Sequence, residues 1–180
     1  MEVDKDLLEG NPVLKQNVEK VICISTDKAA QVSGVYGASK LLMERLFTQF
    51  EKTYPDIMFR IVRYGNVLYS TGSVLCIWKN LIKQGKEVIV TEPKATRFFW
   101  NVEQAIDLIF DCFHNAKDST PYCPDMKSMR IDDLLQAMVV KYGDGKEIPI
   151  KVIGLQPGEN LHEKVLEEGL ASNEVEHFTV

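Results

Sequence analysis

The pattern of apolar residues at positions 20–64 restricts this chain to few folds. An apolar run at residues 21–24 is followed by a long amphipathic stretch at residues 35–54 and by a second strand-like run at residues 59–64. Short apolar runs predict buried strands, and apolar residues spaced three or four apart predict a helix. A strand, a helix and a strand in this order form a right-handed crossover in which the two strands are parallel. The segment therefore predicts an α/β protein with a parallel sheet.

The alternation of strands and helices continues to the end of the chain. Strands are predicted at residues 20–25, 59–64, 87–91, 120–123 and 148–153. Helices are predicted at residues 35–54, 74–83, 102–115, 131–142 and 158–167. Apolar side chains at helical spacing are expected to pack into the core; they include Leu42, Ile106, Phe110 and Phe113.

Composition argues against several classes of function. A net charge of −5 does not suit binding to nucleic acid or to an anionic membrane surface. The sequence shows no signal peptide and no apolar run near about eighteen residues, so we expect a soluble cytoplasmic protein that makes no membrane contact. The cysteines lack CxxC spacing and are expected to be free thiols, and the histidines lack metal-ligand spacing, so no metal site is expected.

The residues that carry chemistry are concentrated around the end of the first predicted strand. Ser25-Thr26-Asp27-Lys28 follows the apolar run, and Tyr36 and Lys40 come next, four residues apart. Residues four apart share one face of a helix, and a lysine ammonium beside a phenol stabilises the phenolate. Open α/β sheets bind their ligands at such strand ends. An acid, a base and an activated phenol at one strand end suit redox and elimination chemistry on a sugar.

Each of these features alone has a simpler interpretation. A tyrosine and a lysine four apart on a helix occur by chance in many proteins. Asp27 and Lys28 alone fit a helix cap and a solvated charge. Asn66 alone fits a turn, and Arg97 alone fits a surface position.

A glycine-rich phosphate loop is missing from the sequence. A dinucleotide-binding sheet of this type carries G-x-G-x-x-G after its first strand, and the 180 residues contain no such motif. We therefore expect a fragment, or the product of a gene that lost its first half. In a sheet ordered 3-2-1-4-5-6, residues 20–25 would form the fifth strand and expose an unpaired apolar edge that invites association. The isolated chain is expected to bind dinucleotide weakly or not at all.

Four sequence segments resemble one family in the same order. The tyrosine-x-x-x-lysine pair resembles the extended short-chain dehydrogenase/reductase superfamily. More narrowly, STDKAAQVSGVYGASK (residues 25–40), RYGNVLYSTGSV (63–74), TRFFW (96–100) and IGLQPGENLHE (153–163) resemble the inverting UDP-N-acetylglucosamine 4,6-dehydratases, the CapD-like polysaccharide biosynthesis group. The resemblance covers nearly all of the chain from residue 18 onward.

The resemblance implies a fold and a division of the chain. It implies the C-terminal portion of a Rossmann-type parallel sheet plus a small α/β substrate-binding region. We expect a poorly patterned N-terminal segment at residues 1–17 and a partial Rossmann region with the catalytic motif at residues 18–72. Residues 73–180 are expected to form a mixed substrate-binding region with interleaved Rossmann elements.

The resemblance also implies a reaction and a cofactor, NADP. Tyr36 would take the proton from the sugar 4-hydroxyl while NADP takes hydride from C4. Lys28 would then remove the C5 proton as a base, and Asp27 would protonate the departing 6-hydroxyl. Return of hydride to C6 gives a 4-keto-6-deoxy sugar nucleotide. Retaining dehydratases usually carry a glutamate in place of Lys28, so this lysine points to the inverting class.

The remaining site residues follow from the same resemblance. Thr26 is expected to hydrogen-bond the 4-hydroxyl, and Lys40 to bind the nicotinamide ribose next to Tyr36. The expected contacts to the UDP-sugar substrate are Asn66, Arg97, Gln156 and Glu159, with Asn66 and Arg97 on the diphosphate and Glu159 on the uridine ribose. Gln156 stands where the family commonly carries an arginine, which removes a charge and a forked donor and should weaken substrate binding.

Two alternatives stay open at this point. The chain could be a non-catalytic remnant that binds a UDP-sugar or a partner chain. It could also be another extended relative, such as a 4-epimerase or a retaining dehydratase, and epimerases need no acid-base pair at Asp27 and Lys28. Family members tend to self-associate, so a homo-oligomer is a further expectation. The sequence does not specify the exact sugar or the pathway.

Overall fold

The structure is a computed structural model that describes residues 18–179. The predicted N-terminal segment at residues 1–17 lies outside this part. The helices are α1 (Val35–Thr53), α2 (Val74–Lys83), α3 (Val102–Asn115) and α4 (Ile131–Tyr142). The strands are β1 (Lys20–Thr26), β2 (Met58–Tyr64), β3 (Asn66–Val67), β4 (Val88–Val90), β5 (Thr96–Trp100), β6 (Pro121–Tyr122), β7 (Ser128–Arg130) and β8 (Ile150–Val152).

The main sheet has the parallel arrangement that the sequence predicts. Its strands lie in the order β1-β2-β6, and β1 pairs with β2 over its whole length, from Lys20 opposite Met58 to Thr26 opposite Tyr64. Strand β6 extends the sheet beyond β2, again in parallel. Within residues 18–179, β1 forms an open edge of this sheet, as predicted. The α/β class and the Rossmann-type parallel sheet are therefore confirmed.

A second region packs beside the main sheet. Strand β5 pairs in parallel with β3 and antiparallel with β7, while β4 and β8 form a separate parallel pair. A core cluster of buried residues from α2, α4 and these strands surrounds Trp78, Ile82 and Phe99. Strands β4, β6 and β8 lie at predicted positions, whereas β3, β5 and β7 were not predicted.

The predicted helix at residues 158–167 is wrong. This segment instead runs as an irregular chain along β5, where Thr96 N donates to Leu161 O (3.1 Å) and Thr96 pairs with His162. Ser172 reinforces the contact, because its hydroxyl accepts from Glu163 N (2.9 Å) and lies 2.6 Å from the Thr96 hydroxyl. Hydrogen bonds to β5 therefore replace the bonds that a helix would make within itself.

Several side chains predicted for the core are exposed. Leu42 on α1 is 59% exposed, and Ile106, Phe110 and Phe113 on α3 are 47%, 61% and 41% exposed. Helix α3 begins after a capping box formed by Asn101 and Gln104, and its first residue is the predicted one. Within residues 18–179, one face of this helix is left exposed. Helices α1 and α3 both pack against β1. In the described residues, the open edge of β1 is thus flanked by helices with exposed apolar side chains.

Candidate active site

A cleft of about 530 Å³ opens at the carboxyl ends of β1 and β2. Seven of the nine predicted site residues line it, and they are Thr26, Lys28, Tyr36, Lys40, Asn66, Arg97 and Glu159. Asp27 lies directly beneath, fully buried and in contact with two of the lining residues. Gln156 does not line the cleft.

Asp27 and Lys28 form an ion pair in the short turn that follows β1. Asp27 Oδ1 accepts from Lys28 Nζ (3.0 Å) and from the Thr26 hydroxyl (2.9 Å). The Thr26 hydroxyl also accepts from Lys28 N (3.4 Å), which caps the turn at Asp27–Ala29. Asp27 Oδ2 is buried and has no hydrogen-bond partner among the described residues. The Lys28 ammonium therefore lines the cleft and is paired with a buried carboxylate beneath it, one oxygen of which is left unsatisfied.

Tyr36 and Lys40 lie on the first turns of α1 and face the same cleft. The Tyr36 side chain is accessible, with 58% of its surface exposed, while Lys40 Nζ donates to Ile24 O in β1 (3.1 Å). Gly37 lets the helix approach the Asp27–Ala29 turn, because a Cβ at this position would lie 2.3 Å from Lys28 O. The four-residue spacing thus places a phenol and an ammonium in the same cleft as Lys28.

A buried ion pair that the sequence analysis missed fixes the orientation of α1. Arg63, at 1% exposure, donates from Nε and Nη2 to the two oxygens of Glu44 (2.8 and 2.6 Å). Ser25 also donates its hydroxyl to Glu44. Burial opposes the charge of Arg63, but the hydrogen bonds that it donates to Glu44 and Glu167 raise the pKa of this guanidinium above its ordinary value. Glu44 continues the spacing of Tyr36 and Lys40, and a charge inside the predicted strand at residues 59–64 was the available signal.

Polar side chains from the second region close the opposite side of the cleft. Asn66 Oδ1 lies 3.5 Å from Lys28 Nζ. Arg97 donates from Nη1 to Thr96 O (2.8 Å) and Leu161 O (3.1 Å), and its Nε lies 3.8 Å from buried Glu163. These contacts hold the Arg97 guanidinium at the cleft wall, which gives the site a fixed positive charge across from β1.

The segment that contains Gln156 and Glu159 packs against the loop before α1. Gln156 donates from its backbone to Glu159 Oε2 (3.0 Å) and from its side chain to Gly154 O (2.9 Å). Ser33 donates its hydroxyl to Gly158 O (2.9 Å). Gln156 thus shapes the turn that carries Glu159, although its own side chain points at its own loop.

Among the cleft residues outside the predicted set, Tyr64 and Ser73 carry polar groups in unusual surroundings. Tyr64 is half-buried. Its burial, with a smaller contribution from the charge of Tyr36, raises the pKa of the Tyr64 phenol. The hydroxyl of Ser73 precedes α2, is buried, and has no hydrogen-bond partner among residues 18–179. Serine before a predicted helix was the signal for Ser73, whereas Tyr64 could be assigned only from its position in the folded chain.

Comparison with protein families identifies one match over most of the sequence. The family described as polysaccharide biosynthesis protein matches residues 11–180. A protein of Methanocaldococcus jannaschii called an uncharacterised membrane protein is 40% identical over 86% of this chain and 49% of its own length. In the described part of this chain, no helix combines the length and apolar character needed to cross a bilayer.

Two further groups of curated relatives carry enzyme names. An inverting UDP-N-acetylglucosamine 4,6-dehydratase of Campylobacter jejuni is 34% identical over 83% of this chain and 44% of its own length. A UDP-glucose 4-epimerase of Rickettsia akari is 33% identical over 85% of this chain and 45% of its own length. The chain thus spans about half the length of the curated relatives it matches.

Solved structures agree with the fold. Pen from Bacillus thuringiensis matches with a TM-score of 0.78 and 33% identity, over 86% of this chain and 49% of that protein. The dTDP-glucose 4,6-dehydratase DesIV of Streptomyces venezuelae, solved with NAD bound, matches with a TM-score of 0.71 at 15% identity, over 83% of this chain and 52% of that one. The second likeness concerns the fold alone.

Proposed function

Because the chain belongs to the polysaccharide biosynthesis protein family, we propose that it carries the catalytic and substrate-binding machinery of a nucleotide-sugar 4,6-dehydratase. The proposed substrate is UDP-N-acetylglucosamine, with inversion at C5 and NADP as cofactor. The observation that supports this most strongly is the shared cleft of Tyr36, Lys40 and Lys28 above the buried Asp27. The C. jejuni dehydratase supports the substrate class.

The residues present fit one end of the proposed cofactor. Tyr36 and Lys40 line the cleft at the carboxyl end of β1, where they would hold the nicotinamide ribose. When bound, NADP supplies reversible hydride transfer to and from the sugar. The sequence has no G-x-G-x-x-G motif for the phosphates, so we expect weak binding of NADP to this chain, and a sub-micromolar Kd by calorimetry would contradict that.

The protein groups then divide the proton transfers among them. Tyr36 accepts the proton of the sugar 4-hydroxyl, and the nearby Lys40 ammonium stabilises the phenolate that carries this charge. The ketone formed at C4 acidifies C5, and Lys28 removes the C5 proton. For this, the Lys28 ammonium first passes a proton to Asp27 across their 3.0 Å contact, which leaves a neutral amine to accept the C5 proton and a carboxylic acid that protonates the departing 6-hydroxyl. Thr26 orients the 4-hydroxyl from the same wall of the cleft.

The other wall supplies the binding contacts. Arg97 suits the substrate diphosphate because its planar guanidinium matches phosphate oxygens and is already held by two backbone carbonyls. Asn66 and Glu159 would contact the diphosphate and the uridine ribose. Gln156 is assigned a supporting role, since it orders the turn of Glu159.

The test is conversion of UDP-N-acetylglucosamine by this chain at saturating NADP, followed by NMR for a 4-ketone and for deuterium incorporation at C5 from heavy water. Tyr36→Phe should lower the rate by about 100-fold or more, because it removes the proton acceptor. Tyr54→Phe, which deletes a phenol at the far end of the same helix, should leave the rate unchanged. Binding of UDP-N-acetylglucosamine without any ketone would instead support a non-catalytic sugar-binding protein.

A second candidate function is 4-epimerisation, which the 33% identity to the R. akari epimerase favours. An epimerase returns hydride to C4 and releases no water, so its product keeps the 6-hydroxyl. A C4 epimer without a ketone, and without deuterium at C5, would replace the dehydratase proposal with this one.

A further inference from the structure

A separate apolar pocket lies behind the wall of the active-site cleft. Its volume is about 220 Å³, and its lining comes from the turn after β3, from α2, β5, β7 and α4, and from the C-terminal segment. Leu75 and Phe99 are lining residues of both spaces and separate the pocket from the cleft. The catalytic machinery proposed above does not extend into this pocket, since none of its residues lines it.

The chemistry of the pocket interior is apolar. Its wall consists of aliphatic, aromatic and thioether side chains, namely Leu68, Leu75, Phe99, Met129, Leu134, Ala137, Met138 and Phe178. The volume is below the range of about 300–1,000 Å³ that drug-sized ligands occupy and above the roughly 150 Å³ of a cavity that admits benzene. A compact apolar body, such as a single ring or a short acyl chain, therefore fits.

The rim of the pocket is polar and positively charged. Tyr69 and Lys141 line it, and the Tyr69 hydroxyl shares a hydrogen bond of 2.9 Å with the Tyr142 hydroxyl. Three ammonium groups surround the Tyr142 ring, with Lys79 Nζ at 5.4 Å and Lys83 and Lys141 Nζ at 5.7 Å from its centre. Within residues 18–179, none of these three lysines forms an ion pair with a carboxylate.

Two properties of the tyrosines show how unusual this rim is. Tyr69 has a φ of +57°, a left-handed conformation that bulky residues rarely adopt, so the surrounding fold holds it in place at the pocket. The hydrogen bond from Tyr69 and the charges of Lys141, Lys79 and Lys83 lower the pKa of Tyr142, while the bond to Tyr142 and burial raise the pKa of Tyr69 to about 12. The three ammonium groups around Tyr142 therefore favour negative charge at this rim.

We propose that this pocket is a second ligand site, which binds an anion with a compact apolar body, such as an aromatic or medium-chain carboxylate. The apolar part fills the space between Leu75, Phe99 and Met138, and the anionic group meets Lys141 and the Tyr69–Tyr142 pair. The lysine ammonium groups and a phenol hydroxyl of the tyrosine pair recognise the negative group, and the apolar wall supplies most of the contact area.

Calorimetric titration of the whole chain with octanoate tests this site, with octylamine as the probe of opposite charge. We expect octanoate to bind about tenfold or more tightly than octylamine, and added salt to weaken octanoate binding. Lys141→Gln should weaken octanoate binding about tenfold, because it removes a charge-assisted contact. Lys52→Gln makes the same charge change on the exposed surface of α1 and should have no effect.

A space-filling variant tests the apolar half of the site. Ala137→Leu should abolish octanoate binding, because the larger side chain fills the pocket, while the neighbouring exposed Gln136→Leu should preserve it. The proposal is overturned if octanoate does not bind, or if octylamine binds as tightly as octanoate. It is also overturned if Lys141→Gln binds octanoate with the same affinity as the unchanged chain. These measurements need no turnover, so their outcome is independent of the dehydratase assay.

Discussion

Asp27 and Lys28 are adjacent in sequence but differ in their exposure to solvent. The Asp27 side chain is fully buried, while 35% of the Lys28 side-chain surface is exposed to the cleft. A buried carboxylate is costly unless a charged partner and hydrogen bonds compensate it, and Lys28 is the ammonium that does so at 3.0 Å. Lys28 therefore has two separable tasks, which are to stabilise Asp27 and to act on the substrate.

Substitution of Lys28 should separate these two tasks. Lys28→Met removes the partner of Asp27 and should lower the free energy of unfolding by about 1–3 kcal/mol, besides abolishing ketone formation. Lys28→Arg keeps the positive charge and most of the stability but cannot act as a base, so it should be equally inactive. Urea unfolding and the NMR ketone assay measure the two properties. An active Lys28→Arg variant would remove Lys28 from its proposed role as the C5 base.

Glu167 offers a test of pH dependence. Partial burial opposes its charge, but hydrogen bonds from Arg63 (3.1 and 3.2 Å) outweigh this and lower the pKa of Glu167 below its ordinary value. A lowered folded-state pKa stabilises the fold above the unfolded-state pKa of about 4.3, and this stabilisation is lost as pH falls through the folded value.

Glu167→Gln should therefore lower stability at pH 7, and this loss should become smaller at pH 3, below the unfolded-state pKa of about 4.3. Since 52% of the Glu167 side chain is exposed, solvent screens the pair and the expected loss is under about 1 kcal/mol. Urea unfolding at both pH values measures it, with the exposed neighbour Glu168→Gln as the matched control. A loss of equal size at pH 3 would show that the effect is not electrostatic.

Helices and strands with regular apolar spacing could be predicted closely from the sequence. The predicted helices at residues 74–83, 102–115 and 131–142 coincide with α2, α3 and α4. The error at residues 158–167 arose because Glu159, Leu161 and Glu163 suit a helix locally, while the backbone of this segment bonds to β5 instead. Strand β5 itself was visible in the aromatic run of TRFFW, which was used only as a family signature.

The candidate site could be predicted from the sequence only where it depends on the order of strands and helices. Strand-end and helix positions relative to one another follow from the crossover, so Lys28, Tyr36 and Lys40 could be expected in one cleft. The Arg63–Glu44 pair joins residues 19 apart in sequence, and no local spacing predicts it. The outward orientation of Gln156 likewise depends on a turn that only the folded chain shows.

The close contact between α1 and the Asp27–Ala29 turn is possible because Gly37 has no side chain. Gly37→Ala would place a methyl group 2.3 Å from Lys28 O, so the helix or the turn must move. We expect a loss of about 1–3 kcal/mol in the free energy of unfolding and a displaced Tyr36, seen as lost ketone formation. Gly34→Ala adds the same methyl group with an ordinary contact of 3.4 Å, so its cost should be limited to a poorer N-cap of α1, about 0.5 kcal/mol. Equal stability of the two variants would contradict this account of the junction.

At the scale of the described molecule, residues 18–179, one group of exposed apolar side chains lies on α3 and β1, next to the open edge of the main sheet. Val102, Ile106, Phe110 and Phe113 follow one stripe along α3, and Ile24 of β1 is 44% exposed. Monomeric proteins rarely leave a contiguous apolar surface uncovered next to an unpaired strand edge. We therefore expect the chain to self-associate through this face, which agrees with the sequence-based expectation of association.

Phe110→Lys tests this expectation, because it places a charge in the centre of the α3 stripe. Light scattering over a range of concentrations should show association of the unchanged chain and a shift toward monomer in the variant. The matched control is Val140→Lys, since Val140 is 86% exposed on α4, away from the stripe, and its substitution should leave association intact. If both variants associate like the unchanged chain, the contact lies elsewhere, and the β1 edge with its flanking stripe cannot be the surface that joins the copies.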